Sequence, residues 1–152
     1  MSVARALARL ALALGALAVA GCEPAAQWYE GPRRPFAETA RLCCRTSSPH
    51  TVDVQVRNAQ IRIDRIDARW FDFDEAWAEL LPGRHEVAYT YVEGTGGFPL
   101  PVMPSLTVKD KLAFTGLAGH SYLIRARREA DKTYVWIEDE ASAEVVAGVK
   151  PD

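Results

Sequence analysis

Apolar and polar residues alternate with period two along most of the chain beyond residue 50, the pattern of strands with one buried face. Val52, Val54 and Val56 alternate with Asp53, Gln55 and Arg57. Ile61 and Ile63 alternate with Arg62 and Asp64, and the parity slips at Arg65-Ile66, which predicts a bulge or a strand end. His85, Val87, Tyr89 and Tyr91 share one face, and Glu86, Ala88 and Thr90 share the other. Leu106, Val108, Leu112 and Phe114 keep one parity around Asp110. Tyr122, Ile124 and Ala126 alternate with Leu123, Arg125 and Arg127, and residues 134–138 close the set. Glycine or proline stands at most of the breaks: Pro49, Pro82-Gly83, Gly94 to Gly97, Gly116 and Gly119. About seven strands at such spacing predict an all-β fold, a single antiparallel β-sandwich.

Two segments depart from the alternation. Trp70, Phe71, Phe73, Trp77, Leu80 and Leu81 crowd together with Asp72, Asp74 and Glu75 between them. Over 73–81 the apolar spacing fits one or two helical turns, which Pro82-Gly83 would stop. This short helix is expected to lie over an open end or edge of the sandwich, its aromatics a plug or a patch for a partner. In 98–104 three prolines alternate with Phe98, Leu100, Val102 and Met103, a composition that does not continue a central strand. The segment either packs back over the sandwich or presents an extended apolar edge. Trp70, Phe73, Trp77, Phe98, Leu100 and Met103 are therefore the candidate partner or ligand surface.

The N-terminus carries the most specific signal. Arg5 and Arg9 precede an uninterrupted apolar run from Leu10 to Ala20, and Val19-Ala20-Gly21-Cys22 follows. That is the layout of a secretory signal peptide. Between Arg9 and Glu23 the run is 13 residues, against about 20 for a membrane-spanning helix. It also lacks the polar face of an amphipathic helix. Ala18-Val19-Ala20 could serve as a cleavage site for plain secretion, the remaining alternative. The last four residues resemble the lipobox of bacterial lipoproteins. The resemblance implies cleavage before Cys22, a diacylglyceryl thioether on its sulfur, and membrane anchorage through acyl chains. The family's inner-membrane retention signal resembles Asp at the next place; this chain has Glu23, which leans toward the outer membrane, facing the periplasm.

Cleavage would remove 1–21 and leave 131 residues, a 22–34 segment rich in Ala, Pro, Arg and Glu that reads as a tether, and a 35–152 sandwich domain. Arg5 and Arg9 leave with the signal and no acid does, so the formal charge goes from −2 to −4. No basic cluster or high pI points to nucleic acid. With Cys22 committed to lipid, the vicinal pair Cys43-Cys44 remains. Adjacent Cα atoms lie about 3.8 Å apart, below the roughly 4.4–6.8 Å of a relaxed disulfide, so both are expected reduced, Cys44 buried beside Leu42 and Cys43 on the opposite face.

Chemistry-bearing patterns are sparse. His50, His85 and His120 have no HExxH or comparable ligand spacing. His85 and His120 each follow a glycine at a strand start, where an imidazole can bond backbone groups left unpaired by the turn. They would make a metal site only if their strands brought them together with an acid. Asp72-x-Asp74-Glu75 lacks the spacing and glycine of a calcium loop, and no Gly-x-Ser-x-Gly is present. No cofactor is called for, and a non-enzymatic role is expected.

Tyr29-Glu30-Gly31-Pro32, Leu81-Pro82-Gly83-Arg84-His85-Glu86-Val87, Ala118-Gly119-His120-Ser121-Tyr122 and Val135-Trp136-Ile137-Glu138-Asp139 together resemble a group of small proteobacterial lipoproteins. The Leu-Pro-Gly-x-His-x-Val phrase is also similar to PEGA-type domains, small prealbumin-like β-sandwiches. Where those groups carry Ile-Asp-Gly, this chain has Ile66-Asp67-Ala68, a departure at an expected tight turn. The resemblance implies fold and location, not an activity. The expected role is a lipid-anchored interaction or structural module with an envelope protein partner. The alternative is a periplasmic carrier holding a small apolar ligand or metal ion in a cavity lined by Trp70, Phe73, Trp77 and the tyrosines.

Overall fold

A computed structural model describes residues 25–43, 59–71, 77–95 and 103–152. The strands are β1 (Ala26–Gln27), β2 (Ala40–Cys43), β3 (Ala59–Ile66), β4 (Arg69–Trp70), β5 (Trp77–Leu80), β6 (Gly83–Thr95), β7 (Met103–Gly116), β8 (Ser121–Glu129), β9 (Lys132–Asp139) and β10 (Val145–Gly148). They form two sheets, one in the order β1-β5-β2-β8-β9-β10 and the other β4-β3-β6-β7. The all-β, sandwich-like architecture read from the alternation is thus present, with ten strands among the described residues rather than about seven. Pairing is mostly antiparallel, but β1 runs parallel to β5 and β2 parallel to β8.

The core lies between the sheets and is filled by the predicted alternating faces. Ile61, Ile63, Ile66, Val87, Tyr89, Tyr91 and Phe114 come from the four-stranded sheet. Leu42, Leu80, Tyr122, Ile124, Val135 and Ile137 meet them from the six-stranded sheet. The parity slip at Arg65-Ile66 is a register shift between Ile63 and Arg65, a bulge in β3. It lets Ile66 re-enter the core after Ile63 despite the odd spacing.

Several expectations are corrected. Residues 77–80, expected to be helical, are strand β5, hydrogen-bonded to β1 on one side and β2 on the other. Ala78 and Leu80 face the core, and two flanking strands outweigh the helix preference of Ala, Glu and Leu. Residues 72–76 lie outside the described residues. Residues 25–28, expected to belong to a tether, pack on the domain: β1 joins the six-stranded sheet, and Trp28 packs on the core with its indole N–H donating to Ile66 O at 3.2 Å. Met103 and Pro104 belong to β7, not to a loop. β7 is the edge of its sheet, where a proline costs no ladder bond on the open side. Cys43 is buried like Leu42, on a strand covered on both edges. The predicted strand at 52–56, and Cys44, fall outside the described residues.

The tight turn after Ile66 forms without a glycine. Asp67 takes φ +54, a conformation aspartate tolerates better than most side chains. Its side chain then repays the strain: Oδ1 accepts the Glu86 N–H at 2.9 Å and Oδ2 meets His85 Nδ1 at 2.9 Å.

Candidate functional site

The outer face of the four-stranded sheet is built in rows by strand register. One row runs Trp70–Arg65–Ala88–Lys111 across β4, β3, β6 and β7, and the next runs Arg62–Thr90–Lys109. Residues in one antiparallel row stand side by side on one face. The β3 bulge adds to this, since it sets Asp64 and Arg65 next to each other beside the same depression. The central strand contributes only the short side chains of Ala88 and Thr90 between long cationic ones. The result is an open cavity of about 580 Å³ lined by Arg62, Asp64, Arg65, Trp70, Ala88, Tyr89, Lys109, Asp110 and Lys111.

Its electrostatics are one-sided. Arg62, Arg65, Lys109 and Lys111 line it, and Arg84 lies on the same face two positions before Glu86. Against them stand Asp64, Asp110 and Glu86. Arg62 is paired with Asp64 at 2.8 Å and Lys111 with Glu86 at 2.7 Å. Asp64 also accepts the Thr90 hydroxyl at 2.5 Å. Arg65 lies 5.2 Å from the centroid of Trp70, a ring that is 73 % exposed. Burial, and secondarily the Asp110 charge, push the Tyr89 phenol up to about 12, so it stays neutral. The face therefore offers cations and one exposed indole. That suits a flat, anionic or amphipathic partner better than a small molecule needing enclosure.

Of the candidate partner or ligand residues, Trp70 is the one among the described residues that lines this site, joined by Tyr89 from the tyrosines. Trp77 opens β5 on the other sheet and is half-buried, so the two tryptophans do not line one cavity. Met103 opens β7, opposite Thr95. Cys22, Phe73, Phe98 and Leu100 lie outside the described residues. Sequence reading missed Arg62, Arg65, Lys109 and Lys111, although period two put Arg62, Lys109 and Lys111 outward; Arg65 faces outward only through the β3 bulge, and only the register shows that the four form rows.

The two histidines among the described residues are held structurally, and His50 lies outside them. His85 meets Leu81 O at 2.7 Å through Nε2 and Asp67 through Nδ1, so both ring nitrogens are engaged. His120 Nδ1 lies 2.6 Å from Asp139 Oδ2, and the Ser142 hydroxyl donates to the same carboxylate at 3.2 Å. That order is wrong for nucleophilic catalysis, in which the serine must donate to the imidazole. Among the described residues no group of three or more His, Cys, Asp or Glu side chains is arranged to hold a metal ion.

Two neighbouring acids carry a pH dependence. Burial pushes both carboxyls up, but their partners win. The Trp136 indole N–H, Arg125 and Lys150 hold Glu138 below the usual range, and His120 with the Ala141 and Ser142 donors does the same for Asp139. Groups with lowered folded pKa add stability above their unfolded pKa of about 4 and lose it as pH falls through the folded value. The melting temperature is expected to hold down to about pH 5 and fall in more acid solution. Glu138→Gln with Asp139→Asn should flatten that fall; an equally steep acid limb in the double variant would contradict the assignment.

No family model matches the chain, and comparison with curated proteins and with solved structures finds no match.

Proposed function

We propose that the chain is a bacterial cell-envelope lipoprotein, anchored by acyl chains on Cys22, whose sandwich is a non-enzymatic interaction module. The observation that carries the anchor is Val19-Ala20-Gly21-Cys22 at the end of the apolar run, together with its resemblance to a lipobox. The resemblance to small proteobacterial lipoproteins with PEGA-like domains supports the same reading. Trp70, exposed in a row of cations, supports an interaction face on the four-stranded sheet. In this reading the acyl chains hold the domain at the membrane, and the sandwich serves as the interaction module.

The test is fractionation of the native chain against Cys22→Ala. The native protein is expected in the membrane fraction after a high-salt wash. Cys22→Ala, processed at Ala18-Val19-Ala20, is expected folded and soluble. Salt-resistant membrane retention of the processed variant would refute the anchor.

A further inference from the structure

The chain leaves very little slack between anchor and fold. Ala25 is already buried, and Ala26 and Gln27 are paired with Ala78 and Glu79. Cys22 precedes Ala25 by three residues, and an extended chain spans at most about 3.6 Å per residue, so roughly 11 Å separates the anchor from the packed domain. β1 is also tied to the edge of the cationic face. Arg69 donates to Gln27 O at 3.3 Å and lies 4.5 Å from the Trp28 centroid, while Trp28 packs tilted against Phe71 with ring centroids 5.0 Å apart. Arg69 and Trp70 are the two residues of β4, where the Trp70–Arg65–Ala88–Lys111 row begins. The anchored strand and the cationic, indole-bearing edge therefore stand together at one side of the sandwich.

Resting on the lipoprotein reading above, we propose that this face docks on the anionic headgroup layer of the membrane that carries the anchor. The charge is complementary: Arg62, Arg65, Arg84, Lys109 and Lys111 outnumber Asp64, Glu86 and Asp110, in a chain whose processed form is net negative. Basic side chains near an anionic leaflet are attracted within a Debye length. An exposed indole with a cation beside it suits the headgroup level, where one end of the ring is apolar and the other wet. The chain from Cys22 to Gln27 spans at most about 18 Å, and Arg69 of β4 is hydrogen-bonded to Gln27 O, so the anchor is leashed at the side of the sandwich where the cationic face begins. The sandwich thus lies on the membrane in a fixed orientation, with the six-stranded sheet turned away.

The test uses the native lipidated protein in phosphatidylcholine vesicles, with or without phosphatidylglycerol, carrying a nitroxide quencher on the headgroup. Flotation in high salt reads the anchor alone. The difference in quenching between the native chain and Trp70→Phe reads Trp70. With phosphatidylglycerol present, Trp70 quenching is expected to be roughly threefold stronger than in phosphatidylcholine alone, and to fall back with salt or in Arg65→Glu/Lys109→Glu. Trp70 is exposed, so Trp70→Phe should fold; circular dichroism checks each variant. Protein that floats but shows no lipid-dependent Trp70 quenching overturns the docking and leaves the face to a protein partner. Protein that does not float overturns the anchor instead.

Discussion

Phe114→Ala is expected to lower the stability of the domain by about 3–5 kcal/mol, the range for deleting a buried aromatic ring. Phe114 is 2 % exposed and sits on β7, in register with His85. Its ring meets Tyr122 of the opposite sheet edge-on at 5.1 Å. Tyr122 in turn accepts the Leu117 N–H on its hydroxyl at 3.0 Å, which fixes the β7–β8 turn. The two rings thus join the sheets at the point where the chain passes between them. The neighbours are strand-bound and cannot close over the void, so the cost combines lost burial with a cavity. Thermal unfolding should show a fall of roughly 10–20 °C. A shift of only a degree or two would mean that Phe114 does not join the sheets.

Glu79→Ala is expected to cost about 3 kcal/mol, because it leaves partners of a buried carboxylate unpaired. Glu79 is 1 % exposed on the face of β5 opposite Ala78 and Leu80. It accepts the Tyr29 hydroxyl at 2.7 Å, and Arg33 and Arg41 lie 3.7 Å away. Tyr29 and Arg33 belong to the segment just after β1, so Glu79 pegs this N-terminal stretch onto the sheet. Glu79→Gln keeps the volume and an acceptor for Tyr29 and is expected to lose about 1 kcal/mol. Chemical denaturation measures both; equal losses would assign the effect to packing rather than to charge. In Glu79→Ala, limited proteolysis should also reach residues 29–34 sooner.

What was legible in the sequence follows from where tertiary pairing agrees with local pattern. The strands around Ile61, Val87, Phe114 and Ile124 alternate cleanly because one face is core and the other solvent, and the bulge at Arg65 showed as a parity slip. β5 was misread because Trp77-Ala78-Glu79-Leu80 satisfies both a helical spacing and a two-residue alternation. Its parallel and antiparallel neighbours decide between them, and neither is adjacent in sequence. β1 is two residues long and has no alternation to read; only Trp28 and Tyr29, an aromatic pair in a supposed tether, hinted that the segment packs. The cationic face was invisible for a related reason. Arg62, Arg65, Lys109 and Lys111 look like ordinary solvated positions until register aligns β3, β6 and β7.

The central claim is that this domain is held on a membrane by its first processed residue. Intact-mass analysis of the protein extracted from membranes tests it most directly. The account predicts a chain that begins at Cys22 and carries the added mass of diacylglyceryl and any further acyl group. An unmodified Cys22, or a mature chain beginning elsewhere, would contradict it.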